Sequence, residues 1–538
     1  MSVKTCDVVV VGAGLSGLSA ARLLLQKNSS LKVLVLEGKG RVGGRTVSCR
    51  LPAAQGEDVW DLGGQWVGSS QKHVMDLIRD LGLEMYPQYT AGKKVYHMGG
   101  PQAKVRTYTS SLPSMSLLTL LDLTHFVWQI NRLTRSLSTE DPTSSPRSLE
   151  YDSMTLSSYL DKKVWTRALR MEIELCSRSL FGLEPSQISF LYFVTYCAAA
   201  GGVRCLLEAT PGSAQESYIK GGAQQLSERL ADQVGRENVH LSSAVLAIQQ
   251  GPEGVVVSTS MDTFTCRAVI VTCPPHLAAQ IHYKPMLPPA RQKLTQNMPV
   301  GHMIKFIVTY RTAFWRTNGF SGEIVAQPSK DCPICITFDC TRHGGNPALV
   351  GFICGAQANE WSCRKEEDRR DAVVQSLAKY LGPEASGFIH YAEKDWAKEE
   401  YSGGCPVNVM VPGMLTYYHP SLRRPCGRIH WAGTETATHW CGYMSGAIQS
   451  GLRAALEVLE QLSPEVLSQE ELKEARASAS RPLPHRSWDS APSKPRLPVF
   501  FKVTTVTLGI ALLLAHPRFL RETIGRGTAL LQKVGLAH

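Results

Sequence analysis

Residues 399–406, "EEYSGGCP", place one thiol directly after a pair of glycines. Gly403 and Gly404 allow the backbone to approach a neighbouring group closely, and Pro406 restricts the chain that follows. Cys405 has no partner cysteine nearby, so its thiol can be a buried small hydrophobic group, a metal ligand, a nucleophile or an attachment point. The residue types alone leave these four roles open.

Lys305 is a second residue that could do chemistry, because it interrupts the apolar run "GHMIKFIVTY". A lysine in such a strand either reaches water at a sheet edge or meets a polar partner inside the protein. The alternation of residues along a strand does not distinguish these two positions.

The strongest chemical pattern lies near the start of the chain, where "DVVVVGAGLSGLSAARLLL" contains G-x-G-x-x-G between an apolar strand and a helical period. Gly12 permits the tight turn, Gly14 lets the backbone reach a pyrophosphate, and Gly17 lets the helix pack on the strand. Unpaired amides at the helix N-terminus favour phosphate. Glu37 ends the next strand, "KVLVLE", and is expected to bind an adenosine ribose. These residues predict a dinucleotide site and leave NAD and FAD open.

Two further glycine-rich segments, "GRVGGRT" and "DLGGQWVG", follow the second strand. Arg41 and Arg45 flank the glycines of the first, and arginine adds charge-assisted hydrogen bonds to a pyrophosphate. This R-x-G-G-R arrangement resembles that of flavin-dependent amine oxidases, which favours FAD. Farther along the chain, Val245 is expected to pack on the adenine, and Glu435 to lie beside a second helix N-terminus.

The composition is typical of a globular protein with more than one core, at 538 residues, 43% of them hydrophobic and 19% charged. The net charge of +11 is dispersed, without a basic run interleaved with aromatic residues, so nucleic-acid binding is not expected. The 15 cysteines follow no regular framework, which argues against a disulfide-rich secreted protein. Cys332 and Cys335 form a C-x-x-C, but no second pair at zinc-ligand spacing accompanies them, so no metal site is expected.

The C-terminal region contains the apolar stretch "LPVFFKVTTVTLGIALLLA", residues 497–515, with Lys502 as its only charge. About 20 apolar residues span a bilayer, and a lysine near one end can extend to the interface. A buried helix is the alternative, but the preceding residues are rich in Pro, Ser, Ala and Arg and are typical of a linker. We therefore expect a membrane anchor, and its basic flanks suit the outer mitochondrial membrane.

These motifs together resemble the membrane-bound, flavin-containing monoamine oxidase family. The resemblance extends over nearly the whole chain, from "CDVVVVGAG" through "LEGKGRVGGRT", "DLGGQWVG", "AFWR" and "EEYSGGC" to "WAGTETATHWCGYMSGA". It implies an α/β protein with a discontinuous Rossmann-like FAD-binding domain, a substrate domain of mixed sheet and helices, and a C-terminal membrane helix. The expected boundaries are 1–85, 219–294 and 399–461 for the FAD-binding domain, 86–218 and 295–398 for the substrate domain, 462–496 for a linker, 497–515 for the anchor and 516–538 for a basic tail.

The resemblance also implies how the cofactor is held. In this family the corresponding cysteine carries FAD through a thioether to the 8α-methyl group of the isoalloxazine ring, so Cys405 is the expected attachment point. Pro406 departs from the aromatic residue that relatives usually have there. The expected FAD contacts are Gly12, Ala13, Gly14, Ser16, Gly17, Glu37, Gly38, Arg41, Gly44, Arg45, Gly64, Gln65, Val245, Cys405, Glu435 and Met444.

The family's substrate residues carry over to individual positions of this chain. Lys305 is expected to hold a water near flavin N5, and Tyr418 and Tyr443 to be the paired aromatic residues that face the flavin. The residues expected to line the substrate cavity are Leu207, Gln215, Ile336, Phe352, Tyr418 and Tyr443. Trp66 differs from the tyrosine usual after "DLGG".

The reaction that the resemblance implies is oxidative deamination of primary or secondary arylalkyl amines to aldehydes, with O2 reduced to H2O2. A dry cavity without a carboxylate would favour the neutral amine. A polyamine or histone-lysine oxidase of the same fold is an alternative, but such enzymes generally hold FAD without a covalent bond and keep acidic residues for cationic substrates. An inactive flavoprotein scaffold is another alternative. The expected location is the outer mitochondrial membrane with the catalytic body facing the cytosol, and a homodimer is a family expectation.

Overall fold

The computed structural model describes residues 3–110, 113 and 115–479. The expected membrane anchor at 497–515 lies outside these residues, as do the basic tail and part of the expected linker. Among the described residues, no helix has both the length and the apolar character needed to cross a bilayer.

A five-stranded parallel sheet forms the core of the half of the protein that contains the glycine-rich turn. Its strands are, in spatial order, Val239–His240, Val33–Leu36, Val8–Val11, Ala268–Val271 and Ile429–Trp431. They come from three distant parts of the chain. Parallel strands need crossover connections, and here long stretches of chain leave this half of the molecule and return to it.

Alternate residues of the strand Val8–Val11 pack on different layers, because successive side chains of a strand point to opposite faces. Val8 and Val10 contact a helical layer, whereas Val9 and Val11 contact a second sheet. The helices of that layer are Leu15–Lys27, Lys72–Asp80, Gln225–Val234, Met444–Leu462 and Gln469–Ala479. The strands of the second sheet are Val3–Thr5, Thr263–Cys266, Gly254–Thr259, Val245–Gly251 and His282–Lys284.

The helix Gln469–Ala479 falls within the segment expected to be a linker. It packs on the helix Met444–Leu462, with Ala475 fully buried in the same apolar cluster. Lys27 and Glu471 form an ion pair of 2.7 Å between the helix Leu15–Lys27 and this helix. The chain is therefore folded onto the body as far as residue 479.

A seven-stranded mixed sheet forms the core of the other half. Its strands are, in spatial order, His390–Asp395, Met303–Thr309, Ala348–Cys354, Ile336–Asp339, Phe320–Ala326, Lys93–His97 and Arg106–Tyr108. Five of the six neighbouring pairs are antiparallel, and Phe320–Ala326 with Lys93–His97 is parallel.

Direct strand pairing in this sheet places five residues in one lateral row. Across neighbouring strands the paired residues are, in order, Lys305, Phe352, Ile336, Val325 and Tyr96. Paired residues project from the same face of a sheet, so this row forms a continuous wall.

The remaining described elements surround these sheets. The other α-helices are Leu117–Arg135, Ser148–Asp152, Leu156–Lys163, Arg167–Phe181, Phe190–Ala199, Val203–Leu207, Pro275–Ala278, Pro289–Gln296, Phe314–Thr317, Ala356–Ser362, Glu366–Leu381 and Met414–Tyr418. The other strands are Ser48–Pro52 and Glu57–Asp61, which form a hairpin, and Trp66–Val67, Ser217–Ile219 and Met85–Pro87, which form a small sheet.

The helix Arg167–Phe181 has well-defined ends. The Thr166 side chain accepts a hydrogen bond from the Leu169 amide at the N-terminus. Gly182 ends the helix in the left-handed conformation, with φ at +66°, which glycine adopts without steric cost. The helix is therefore fixed in length and register beside the mixed sheet, where it faces the cavity described next.

Candidate active site

A cavity of about 900 Å³ extends from the glycine-rich turn, past Cys405 and Lys305, to the mixed sheet. The residues expected from the sequence that line it are Gly12, Gly14, Ser16, Glu37, Gly38, Gly44, Arg45, Gly64, Gln65, Leu207, Gln215, Val245, Lys305, Ile336, Phe352, Cys405, Tyr443 and Met444. The expected residues that do not line it are Ala13, Gly17, Arg41, Tyr418 and Glu435.

The three motif glycines have different surroundings. A methyl group built on Gly12, where φ is +106°, would lie 2.6 Å from Thr272 Oγ1. A methyl group on Gly17 would lie 2.0 Å from the Gly12 carbonyl oxygen, whereas nothing lies within 4 Å of one on Gly14. Gly12 and Gly17 thus permit the turn and the close helix packing, and Gly14 leaves the backbone open to the cavity.

Glu37 links the turn to the end of the second parallel strand. One carboxylate oxygen accepts a hydrogen bond of 2.7 Å from the Ala13 amide, and the other accepts one of 2.9 Å from the Lys39 amide. The side chain is buried and lines the cavity. Ala13 therefore acts through its backbone, behind the cavity wall, by orienting the Glu37 carboxylate.

The two arginines of "GRVGGRT" differ in position. Arg45 lines the cavity and donates to Glu435 Oε1 at 2.6 Å and to the Pro406 carbonyl at 2.8 Å. Burial is the largest single influence on Glu435 and acts to raise its pKa, but the charge and hydrogen bond of Arg45 together with backbone hydrogen bonds hold that pKa below its usual value. Arg41 instead donates to Glu399 at 2.7 Å and to carbonyl oxygens of its own loop. Arg41 therefore stabilises the loop through hydrogen bonds and does not line the cavity.

Cys405 is buried in the cavity wall. Its amide donates to the Gly301 carbonyl at 2.9 Å, which fixes the backbone. Gly404 has φ at +148°, and a methyl group there would lie 2.5 Å from the same carbonyl oxygen, so the turn requires glycine. Burial raises the pKa of the Cys405 thiol to about 12, against the Arg45 and Lys305 charges, which act to lower it.

Lys305 lies in the protein interior and not at a sheet edge. It is 3% exposed, and its ammonium donates to the Gly63 carbonyl at 2.8 Å and to Gln65 Oε1 at 2.6 Å. The ring centroids of Trp66 and Phe352 lie 5.8 and 5.6 Å from Nζ. Burial lowers the pKa of Lys305 to about 8. The lysine is therefore poised to lose or share a proton near neutral pH.

The structure does not bring Tyr418 and Tyr443 together at the cavity. Tyr443 lines it, and its ring packs edge-on against Trp440 at 5.0 Å. Tyr418 ends a short helix beside Tyr417 and packs against the same apolar cluster as Tyr443, but it is not among the residues that line the cavity. Pro406 lines the cavity instead, because it follows Cys405 directly. The position of Pro406 directly after Cys405 was the sequence signal that could have identified it as a cavity residue.

Sequence reasoning also missed the far end of the cavity. The expectation of a cavity without a carboxylate is wrong, because Glu172 and Glu323 line it together with Lys94 and Tyr108. Leu169, Glu172, Leu175, Cys176 and Ser179 line it at helical spacing. This stripe was visible in the sequence, but the surface it faces was not.

These features define a class, an enzyme that binds a dinucleotide at the carboxyl ends of a parallel sheet and opens into an elongated pocket with a buried lysine. The family description "Flavin containing amine oxidoreductase" matches residues 15–459. Over 459 residues the chain is 38% identical to "Probable flavin-containing monoamine oxidase A" of Dictyostelium discoideum, covering 85% of this chain and 98% of that protein.

A second relative covers more of the chain. "Amine oxidase [flavin-containing] A" of Canis lupus familiaris is 34% identical over 526 residues, 96% of this chain and 97% of its own. Among solved structures, "Cyclohexylamine Oxidase from Brevibacterium oxydans IH-35A" has a TM-score of 0.79 and 30% identity, covering 85% of this chain and 99% of its own. The chain belongs to the flavin-containing amine oxidases and, within them, to the monoamine oxidase family, whose cofactor is FAD.

The cofactor end of the cavity fits FAD on its own geometry. Gly14 leaves room for a pyrophosphate at the N-terminus of the helix Leu15–Lys27. The oriented Glu37 carboxylate suits a ribose hydroxyl. Gln65 Nε2 is buried at the cavity and has no hydrogen-bond partner in the described part of the chain, so it offers a donor to a polar ring atom.

Proposed function

We propose that the enzyme oxidises primary and secondary amines to aldehydes, with FAD held covalently by Cys405 and O2 reduced to H2O2. The observation that carries this proposal is that Cys405, Lys305 and Tyr443 line a cavity that begins at the glycine-rich turn. When bound, FAD supplies the two-electron oxidation of the amine and returns the electrons to O2. The chain itself binds, orients and desolvates the reactants.

Cys405 acts in this proposal as a tether. The burial of its thiol in the cavity wall supports this role, and the positive φ of Gly403 and Gly404 fixes the turn that places Cys405 there. Burial raises the pKa of the Cys405 thiol to about 12, and the charges of Arg45 and Lys305 oppose that rise, so they ease loss of the proton that must leave when sulfur bonds to carbon.

Lys305 acts as a fixed hydrogen-bond donor. An ammonium has three N–H groups, and two of them donate to Gly63 and Gln65. The third remains for a water on the cavity side. With its pKa lowered to about 8, Lys305 can exchange a proton with that water at moderately alkaline pH.

The substrate amine reacts as the neutral base. Ile336 and Phe352 line the middle of the cavity, and desolvation between such walls opposes the ammonium form. Tyr443 supplies an aromatic face, whereas Pro406 provides none, so the amine nitrogen meets one ring and not two. The imine product leaves the cavity and is hydrolysed to the aldehyde.

The experiment that tests this proposal is acid precipitation of the purified protein, read as flavin absorbance in pellet and supernatant. We expect flavin in the pellet for the wild type and in the supernatant for Cys405→Ala, with H2O2 released when the wild type meets phenethylamine. Flavin released from the wild type would contradict the covalent bond and favour a noncovalent amine oxidase. A flavin-loaded protein that yields no H2O2 with any amine would favour the inactive scaffold.

We also propose that residues 497–515 anchor the enzyme in the outer mitochondrial membrane with the catalytic body in the cytosol. The apolar run and its basic flanks support this location. A chain truncated after residue 495 should be active and leave the membrane pellet after alkaline carbonate washing, whereas the full chain should stay in it. Equal retention of both chains in the pellet contradicts the anchor.

A further inference from the structure

The cavity wall at the mixed sheet carries two carboxylates from different elements. Glu172 comes from the helix Arg167–Phe181 and Glu323 from the strand Phe320–Ala326. Neither is used by the reaction proposed above. A carboxylate in the wall of a cavity that accepts amines has an obvious partner in a second cationic group.

The two carboxylates differ in whether the protein neutralises them. Glu323 pairs with Lys94 at 2.8 Å and accepts a hydrogen bond from Tyr108 at 3.3 Å. Glu172 accepts a hydrogen bond from the Tyr96 hydroxyl, and no Lys or Arg of the described residues forms an ion pair with it. Burial raises the pKa of Glu172 to about 7, and the hydrogen bond from Tyr96 opposes this rise only in part. Glu208 also lines the cavity but pairs with Arg204 at 2.8 Å, and Glu37 lies at the cofactor end, so Glu172 is the carboxylate available to a ligand.

The same cavity has a second buried acceptor in its wall, the side chain of Gln215. Gln215 donates through Nε2 to the Leu206 carbonyl at 3.2 Å, but its Oε1 is buried without a hydrogen-bond partner in the described part of the chain. Gln215 lines the same cavity. A buried carbonyl oxygen in a substrate cavity needs a donor, and an N–H group of a cationic substrate supplies one.

The sheet gives a first measure of the distance between the two ends. Lys305, Phe352, Ile336 and Val325 are paired in one row across four neighbouring strands. Strands lie about 4.8 Å apart, so Val325 is about 14 Å from Lys305 along the sheet. Glu323, two residues before Val325, lines the same cavity.

The helix Arg167–Phe181 gives a second measure. At its C-terminal end, Gly182 adjoins the Cys405 carbonyl oxygen, which would lie 3.0 Å from a methyl group built there. Glu172 precedes Gly182 by ten residues, and a rise of about 1.5 Å per residue separates them by about 15 Å along the axis. The two measures agree that the acidic end is about 15 Å from Cys405 and Lys305.

We propose that Glu172 binds the distal ammonium of an extended diamine or polyamine whose other amine is oxidised beside Lys305. This inference rests on the proposed function and names its substrate class. Leu169, Ile336 and Val325 give the intervening walls an apolar character that suits methylene chains. Gln215 accepts a hydrogen bond from a nitrogen in the middle of a polyamine. A monoamine of the same length enters the same cavity without the ion pair.

The test compares 1,8-diaminooctane with octylamine at pH 8, by H2O2 release, in three forms of the holoenzyme. Glu172→Gln keeps the size of the side chain and its contact with Tyr96. We expect kcat/KM for the diamine to fall at least about tenfold in this variant, whereas octylamine changes less than about twofold. Glu174→Gln is the matched control, because Glu174 lies on the same helix, pairs with Arg170 and does not line the cavity. It should alter neither substrate.

Equal losses for both amines in Glu172→Gln, or the same losses in Glu174→Gln, would overturn the proposal, since either result assigns the effect to the net charge or to the fold. Anaerobic titration of the bound-flavin absorbance with the diamine measures affinity without turnover. An affinity that Glu172→Gln leaves unchanged overturns the proposal even if no amine is oxidised. If the wild type releases no H2O2 with any amine, that result contradicts the proposed function but not the Glu172 site. The affinity measured in the titration then decides whether Glu172 binds the diamine.

Discussion

The two ends of the cavity are constructed in different ways. At the cofactor end, Gly12, Gly14, Gly17 and Glu37 belong to one strand–turn–helix–strand unit, and much of the binding surface is backbone. At the acidic end, Glu172 and Lys94 are among side chains contributed by a helix and by separate strands of the mixed sheet. Local sequence therefore specifies the first end, whereas only the tertiary fold assembles the second.

The largest expected effect is at the local unit. In Gly17→Ala the added methyl group meets the Gly12 carbonyl oxygen at 2.0 Å, so the turn must move. We expect loss of nearly all bound flavin and a decrease in the free energy of unfolding of about 3 kcal/mol. Flavin absorbance per protein and thermal unfolding measure the two effects.

Gly14→Ala is the matched variant, because nothing lies within 4 Å of its added methyl group. The apoprotein should unfold at the wild-type temperature, while flavin content falls since the methyl group occupies the approach of the pyrophosphate. Equal destabilisation by the two substitutions would show that the turn is not the locally determined unit described above.

This contrast explains which features were predictable from the sequence. The continuous valines of Val8–Val11 and the glycine spacing predict a buried parallel strand and a phosphate-binding turn, because both depend on neighbouring residues. Glu172 belongs to a stripe of helical period, but nothing local says that this stripe faces Glu323. The family resemblance assigns Tyr418 to the flavin face, whereas the fold brings Pro406 to the cavity wall.

The next effect concerns the lysine between the two ends. Lys305→Met removes the buried cation and its hydrogen bonds to Gly63 and Gln65 while keeping an unbranched side chain. We expect flavin content to be retained and kcat to fall about 100-fold, as for loss of a positioned proton-transfer group. Stopped-flow measurement of flavin reduction and reoxidation identifies the affected half-reaction.

Lys394→Met is the control for that substitution. Lys394 is the direct strand partner of Lys305, but its ammonium pairs with Glu399 and does not line the cavity. Its kcat should stay within about threefold of the wild type, as expected for a partly exposed ion pair. A similar loss in both variants would assign the effect to the charge of the sheet and not to the position of Lys305.

A smaller effect is expected on the pH dependence at the acidic end. Burial raises the pKa of Glu172 to about 7, so the carboxyl group is neutral at pH 6 and charged at pH 8. The titratable groups that interact with Glu172 are Tyr96, Tyr108 and Cys176, and Tyr108 in turn contacts Glu323, which pairs with Lys94. KM for 1,8-diaminooctane should fall up to about tenfold between these pH values, beyond the change seen with octylamine.

Octylamine corrects for ionisation of the reacting amine, which both substrates share. Glu172→Gln should remove the excess pH dependence of the diamine and leave the octylamine profile as it is. If KM for the two amines changed in parallel with pH in the wild type, the charge of Glu172 would not contribute to binding of the diamine. The two ends of the cavity would then act as one apolar pocket.

The smallest expected effect distinguishes a tyrosine that lines the cavity from a tyrosine that does not. Tyr443 lines the cavity and packs on Trp440, so Tyr443→Ala should lower kcat/KM for phenethylamine roughly fivefold to tenfold through loss of an aromatic wall. Tyr418→Ala changes a side chain outside the cavity and should stay within about twofold of the wild type. Equal losses would mean that both rings meet the substrate in the working enzyme, and that the cavity wall rearranges at Pro406 when an amine binds.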